Sequence, residues 1–284
     1  MVKMNAMSLK AKVRDIAKAK GISAQVVLQH YFFERFLYRL SRSEYHKNFI
    51  LKGGYLIAVM AGLDSRSTMD IDTTIRSLPL DEEHIKNAIN AIRSVPVDDG
   101  VDFQLTSIAV IRNETEHGGL RVSVDAIYEN INAPLSIDIT AGDVITPRPV
   151  KRQFRSLFDD VGRFELFTYN VETILAEKVE TILRRSVSNT RSRDFYDVYL
   201  IVKTQSYDTD IFHKALSRTA LQRGTTERIK NVSEILKTIK DSPILKHQWG
   251  KYQREYSYAK DITFADTVKI LYKLVDKLET IARL

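Results

Sequence analysis

The order of strand-like and helix-like segments constrains the fold of this chain more than any other feature of its sequence. Four segments show the alternation of apolar and polar residues that is typical of half-buried strands: Met69–Ile75, 101–112, 119–128 and Leu135–Ile139. Residues 55–61 and 81–94 have helical periodicity instead. Helices placed among strands, followed by consecutive strands, predict an α/β or α+β core.

Residues 8–45 predict two helices ahead of this core. Gly21 ends the first helix, and Ser23 is a suitable N-cap for the second. A helix pair around a tight turn is also found in DNA-reading helix-turn-helix domains. Because short helix pairs packed on a neighbouring domain are commoner, we interpret these residues as a helical N-terminal segment.

The pattern changes after Thr146–Pro149, where we expect mostly helix. The predicted helices are 170–185, 193–203, 208–221, 226–240 and 262–282. A block of helices after a mixed core favours the α+β class. We therefore predict three parts: a helical N-terminal segment over 1–47, a core over 48–165 and a helical C-terminal domain over 166–284.

Composition limits the partners and the location of the chain. The net charge is +7 over 284 residues, which favours anionic partners such as nucleic acid or nucleotides. The chain has no cysteine, so disulfides and thiolate metal sites are excluded. No apolar run is long enough for a membrane span, and the N-terminus has no secretory h-region, so we expect a cytoplasmic protein.

Asp70 and Asp72 are the first candidates for chemistry. On a strand, Met69, Ile71 and Ile75 point to one face, and the two aspartates point to the other. Two carboxylates this close repel each other unless a cation binds between them. The alternative is that this face is solvent-exposed and that the aspartates have no function.

Two further features favour a site. Gly53 and Gly54 lie between a short apolar segment and a helix, where glycine lets the backbone approach phosphate and a helix N-terminus attracts an anion. Asp138 lies on the polar face of Leu135–Ile139, where a third carboxylate could complete a metal site. The alternative is that Asp138 is a strand-end or turn aspartate, since Gly142-Asp143 follows closely.

Lys178 interrupts an apolar helical stripe that includes Ile174 and Ile182. A lysine at such a position either extends to water or meets a buried anion, for which a triphosphate is our preferred candidate. Asp194 opens the next helix, where an ordinary helix cap is the alternative.

Together these segments resemble the AbiEii/AbiGii nucleotidyltransferase family, the toxins of bacterial abortive-infection and type IV toxin–antitoxin operons. The resemblance covers about residues 48–203 and depends on six segments in this order: Leu51–Gly54, Arg66–Asp72, Ile137–Ile139, Gly142-Asp143, Ala176–Lys178 and Arg193–Asp197. It implies a DNA polymerase β-like nucleotidyltransferase core with a helical C-terminal portion, and a role in phage defence.

The resemblance also implies roles for individual residues. Asp70, Asp72 and Asp138 would hold Mg²⁺, with Mn²⁺ as an alternative, and Asp194 would be an additional essential acid. The residues expected to bind the nucleoside triphosphate are Gly53, Gly54, Arg66, Ser67, Thr68 and Lys178.

The implied acceptor is RNA such as a tRNA end, since some family members modify tRNA and block translation. Seven basic residues could form a track for it: Lys151, Arg152, Arg155, Arg184, Arg185, Arg191 and Arg193. The resemblance further implies a cognate antitoxin that acts without a stable complex.

Two other function classes stay open from the sequence. Asp-x-Asp also marks glycosyltransferases that hold a nucleotide sugar through manganese, although only about fifty largely helical residues precede Gly53 here. A non-catalytic nucleic-acid-binding module on a degenerate transferase fold is the second alternative. Three carboxylates on one face disfavour it, because they would repel a phosphate backbone in the absence of metal.

Overall fold

The computed structural model describes residues 4–111, 118–158 and 161–276, and these form two compact units. Unit 1 comprises Met1–Asp143 and Pro149–Thr168, and unit 2 comprises Val144–Arg148 and Tyr169–Leu284. The N-terminal helices thus belong to the unit that contains the strands. The three-part division with boundaries after 47 and 165 stays a prediction.

Unit 1 is built on a seven-stranded mixed sheet. Its strands are β1 Phe49–Lys52, β2 Ile71–Ile75, β3 Asp102–Ile111, β4 Gly119–Tyr128, β5 Ile131–Ala141, β6 Val150–Arg155 and β7 Arg163–Thr168. They lie in the order β3-β4-β5-β2-β1-β7-β6, so β2 has a neighbour on each side. The strand β2 pairs antiparallel with β1 and parallel with β5. The predicted α+β class is confirmed.

The hairpin of β6 and β7 corrects the expectation of mostly helix after residue 149. In β7 the side chains of Phe164 and Leu166 are buried, and in β6 Phe154 is buried. Arg163–Thr168 therefore has the two-residue period of a strand, which the sequence analysis missed. The strand β6 is at the edge of the sheet, where charged residues are usual and weaken the apolar signal.

Four helices accompany the sheet in unit 1: α1 Ala6–Lys20, α2 Ala24–Arg42, α3 Gly53–Ala61 and α4 Glu82–Arg93. The predicted helix boundaries at Gly21 and Ser23 are confirmed, because Gly21 has φ 63° and the Ser23 hydroxyl accepts from the N–H of Val26. Nearly every residue of α2 from Val27 to Leu40 is buried. This burial fits a packed helix and not one that enters a DNA groove.

Unit 2 is helical as predicted, with α5 Val171–Arg185, α6 Ser192–Thr204, α7 Thr209–Gln222, α8 Thr226–Ile229, α9 Val232–Asp241, α10 Pro243–Glu255 and α11 Phe264–Val275. The helix expected over 226–240 is broken into α8 and α9, and α10 was not predicted. Residues 277–282 of the last predicted helix lie outside the described residues, as do residues 112–117 at the junction of the strands predicted over 101–112 and 119–128. Throughout the described parts of the chain, every helix is too short or too polar to cross a bilayer.

Candidate metal and nucleotide site

Three carboxylates converge at the middle of the unit 1 sheet. Asp72 on β2 is in register with Asp138 on β5 on one side and with Lys52 on β1 on the other. Asp70 lies just before β2. One carboxylate oxygen from each aspartate can be chosen so that all three oxygens lie within 4.8 Å of one another. The structure thus brings together the three residues predicted as metal ligands.

Burial of the apolar residues fixes which way these aspartates point. Ile71 and Ile75 are buried on β2, and Ile137 and Ile139 are buried on β5. Because side chains alternate along a strand, Asp72 and Asp138 share the other face. The expectation that Met69 shares a strand face with Ile71 and Ile75 is wrong, since Met69 is 44% exposed and β2 begins only at Ile71.

The two glycines after β1 make room for Asp72. Gly53 has φ +66°, and a Cβ at this position would lie 1.9 Å from Oδ2 of Asp72. The backbone N–H of Gly54 donates a hydrogen bond to the same oxygen at 3.3 Å. The N-terminus of α3 therefore contacts an anion, as the sequence indicated, but in this structure the anion is the Asp72 carboxylate.

The loop before β2 contributes a hydrogen bond to Asp70 and lies close to Gly54. The hydroxyl of Thr68 donates to Asp70 at 2.5 Å. Arg66 is 1% exposed and donates to the carbonyl of Ser67. A Cβ on Gly54 would lie 2.9 Å from the Thr68 hydroxyl and 3.0 Å from a guanidinium nitrogen of Arg66, so this loop also requires glycine at 54. The roles of Arg66, Ser67 and Thr68 in nucleotide binding stay predictions.

The charge balance at Asp72 favours a cation beside its carboxylate. Burial of its carboxyl and the negative charge of Asp70 raise the pKa of Asp72 from 3.8 to about 6, and Asp138 adds to the rise. Lys52 and the N–H of Gly54 lower this pKa without reversing the shift. Three carboxylate oxygens form a hard donor set of the kind that Mg²⁺ and Mn²⁺ prefer. The residues present therefore fit a divalent metal ion.

Two basic residues at this site were missed by the sequence analysis. Arg121 on β4 faces Asp138 across the strand pair and donates two hydrogen bonds of 2.7 Å to its carboxylate. Lys52 donates to the hydroxyl of Thr140 at 2.8 Å and forms an ion pair with Asp143. Strand alternation alone cannot reveal such pairs, because they depend on the register between strands.

In unit 2, Lys178 on α5 binds two acids of α6. Its ammonium group lies 2.6 Å from Oδ1 of Asp194 and 2.9 Å from Oδ2 of Asp197. Asp194 is not the cap of α6, since the N-cap is Arg191 and makes no side-chain bond. The expectation that Lys178 meets a buried anion is confirmed. In this structure the anions are the carboxylates of Asp194 and Asp197.

Asp197 was not predicted as a site residue. It is fully buried and lies three residues after Asp194, a spacing that puts both acids on one helix face. The other oxygen of Asp194 is buried and accepts no hydrogen bond from the described residues.

A protein-family model matches most of the chain. The model of the family described as "Nucleotidyl transferase AbiEii toxin, Type IV TA system" matches residues 35–270. The solved structure of JHP933 from Helicobacter pylori is 15% identical, with a TM-score of 0.54 over 92% of this chain and 94% of that chain.

A candidate nucleotidyltransferase from H. pylori is 16% identical, with a TM-score of 0.50 over 92% of this chain and 99% of that chain. At such identities the two structures indicate a shared fold only. A comparison with curated proteins gives no significant match.

Proposed function

This chain belongs to the AbiEii family of nucleotidyl transferase toxins, and we propose that it transfers a nucleotide from a nucleoside triphosphate to an RNA acceptor. The observation that carries the proposal is the convergence of Asp70, Asp72 and Asp138 within 4.8 Å at the centre of the sheet. Carboxylates at this separation, one of them with a raised pKa, are suited to hold a divalent metal ion and the triphosphate it carries.

We propose that these three aspartates hold Mg²⁺, for which Mn²⁺ can substitute. The bound metal would neutralise charge on the triphosphate and favour loss of pyrophosphate. Gly53 and Gly54 position Asp72 through the close approach and the N–H contact described above. Thr68 orients Asp70 through its hydroxyl.

The transfer step needs a proton acceptor, and Asp138 is our candidate. An acceptor hydroxyl would attack the α-phosphorus, the bond to pyrophosphate would break, and the hydroxyl proton would pass to the Asp138 carboxylate. From the family resemblance we propose that Lys178 contacts a phosphate and that Asp194 is an additional essential acid. The buried Asp194 oxygen without a donor among the described residues supports a role beyond structure.

RNA is the proposed acceptor class, such as a tRNA end. The net charge of +7 and several exposed basic residues support an anionic acceptor: Lys151, Arg155, Arg191 and Arg193. Members of this family act in bacterial toxin–antitoxin systems, so we also propose a cognate antitoxin. We expect it to act without a stable complex, and a co-eluting pair on size-exclusion chromatography at micromolar concentration would contradict this.

The test is incubation of the protein with total bacterial RNA, Mg²⁺ and each labelled nucleoside triphosphate in turn, with nucleotide sugars in parallel. We expect one triphosphate to label an RNA species, and EDTA to abolish the labelling. Labelling from a nucleotide sugar would support the glycosyltransferase alternative. RNA binding without labelling under any of these conditions would support the non-catalytic alternative.

A further inference from the structure

Arg121 binds the carboxylate of Asp138, the third aspartate of the candidate metal site. Its Nε donates to Oδ1 of Asp138 and its Nη2 donates to Oδ2, both at 2.7 Å. This two-pronged contact matches the shape of a guanidinium to that of a carboxylate and engages both oxygens of Asp138. The pair is fixed by the register of β4 on β5, which puts the two residues directly opposite each other.

This contact opposes metal binding at the same carboxylate. A divalent ion held by Asp70, Asp72 and Asp138 would lie close to the positive guanidinium, and like charges at short range repel. The two-pronged contact also uses one lone pair of each Asp138 oxygen, which leaves fewer lone pairs for a metal ion. Metal binding at Asp138 is therefore favoured when the Arg121 side chain moves away.

Exposure shows which of the two basic residues can move. The Arg121 side chain is 51% exposed, and among the described residues its hydrogen bonds go to Asp138. The Lys52 side chain is only 13% exposed and is held by Thr140 and Asp143. Arg121 can thus leave its carboxylate by side-chain rotation into solvent, whereas Lys52 is fixed at β1.

We propose that Arg121 acts as a gate for the metal site. In the metal-free protein its guanidinium binds Asp138, and when metal binds the guanidinium moves to a phosphate of the incoming nucleotide. Phosphate suits the displaced guanidinium, because it accepts the same two-pronged contact as a carboxylate. The inference rests on the proposed function in that it takes the three aspartates as the metal site. It makes Arg121 a positioning residue for Asp138.

One consequence is that metal and nucleotide bind cooperatively. Without nucleotide, metal must compete with the Arg121 guanidinium for Asp138. When nucleotide is bound, the Arg121 guanidinium can contact a phosphate instead, so it no longer competes with metal for Asp138. Linkage requires that metal raise nucleotide affinity by the same factor as nucleotide raises metal affinity.

Mn²⁺ binding to the full chain tests the gate without any transfer reaction. Free Mn²⁺ is measured by electron paramagnetic resonance, with and without a non-hydrolysable nucleoside triphosphate analogue, and circular dichroism verifies the fold of each variant. For Arg121→Met we expect about tenfold tighter Mn²⁺ binding without nucleotide, and a cooperativity factor about tenfold smaller. Arg121→Lys keeps the charge but loses the two-pronged contact, so an intermediate result is expected.

Arg163→Met is the matched control, because Arg163 is an exposed strand arginine of the same unit that bonds to Gln153. We expect it to bind Mn²⁺ as the wild type does. Unchanged or weaker Mn²⁺ binding by Arg121→Met, with unchanged cooperativity, would overturn the gate while leaving the metal site intact. If Asp72→Asn also leaves Mn²⁺ binding unchanged, the metal site itself is wrong and the gate with it.

Discussion

At the scale of single residues, the backbone of Gly53 lies so close to Asp72 that it leaves no room for a side chain. A Cβ at position 53 would lie 1.9 Å from Oδ2 of Asp72, so an alanine must displace that carboxylate. We expect Gly53→Ala to abolish labelling of the acceptor, because Asp72 can no longer sit beside the other two aspartates. The backbone at φ +66° adds a stability loss of about 1–2 kcal/mol.

Gly21→Ala is the control that separates backbone strain from displacement of the Asp72 carboxylate. Gly21 has φ +63°, and an added Cβ there would meet nothing within 4 Å. We expect this variant to lose similar stability in urea titrations while it keeps full activity per folded molecule. Wild-type activity in folded Gly53→Ala would show that Asp72 tolerates displacement and that the proposed site geometry is wrong.

The charge of Asp72 predicts a pH dependence of stability in metal-free protein. Its pKa is raised from 3.8 to about 6, chiefly by burial and by Asp70, so the folded chain holds this proton more tightly than the unfolded chain. Stability from this group is therefore present below about pH 4 and is lost as the pH rises to about 6. Asparagine removes the effect.

We expect Asp72→Asn to unfold like the wild type near pH 4 and to be about 3 kcal/mol more stable near pH 7.5, in chelator. Urea titrations across this range provide the measurement. Asp81→Asn is the control of opposite sign, because contacts with His84 lower the pKa of Asp81. If the difference in free energy of unfolding between wild type and Asp72→Asn stays constant with pH, the raised pKa of Asp72 is wrong.

At the scale of elements, α5 and α6 are joined by Lys178 and its two acids. Judged from its apolar stripe alone, α5 would accept methionine at 178 without loss of stability. The structure leads us to expect the opposite, since Lys178→Met removes the ammonium group that contacts the buried acids Asp194 and Asp197. We expect a loss of about 2–4 kcal/mol in the free energy of unfolding, together with loss of activity.

A triple variant, Lys178→Met with Asp194→Asn and Asp197→Asn, distinguishes structure from function. Removing all three charges should recover most of the stability in thermal melts, because no buried charge is left without a partner. Activity should stay absent if these residues act on the substrate. Recovery of activity together with stability would show that the cluster is structural only.

Periodicity predicted some of these elements well. The strands β2 and β5 and the helices α5 and α6 follow from the spacing of their apolar residues, and so do the positions of Asp72, Asp138 and Lys178. The pairs Arg121–Asp138 and Lys178–Asp197 could not be predicted, because they depend on strand register and on how two helices pack. The helix α10 was missed although its buried residues Leu245, Trp249 and Tyr252 have helical spacing.

At the scale of the whole molecule, family membership predicts toxicity that depends on the site in unit 1. We expect expression of the wild type to slow bacterial growth, and Asp72→Ala at matched expression to have no effect. Growth curves provide the measurement. Equal toxicity of both proteins would point to sequestration of nucleic acid by the basic surface, and would contradict a toxic role for transfer.

The central claim is nucleotidyl transfer, and the fate of the label in α- and γ-labelled nucleoside triphosphate tests it most directly. Attack on the α-phosphorus leaves the α label on the acceptor and releases the γ label as pyrophosphate. We therefore expect equal amounts of α-labelled acceptor and γ-labelled pyrophosphate from the wild type, and neither from Asp72→Asn. Gamma label on the acceptor, or equal transfer by Asp72→Asn, would contradict the account.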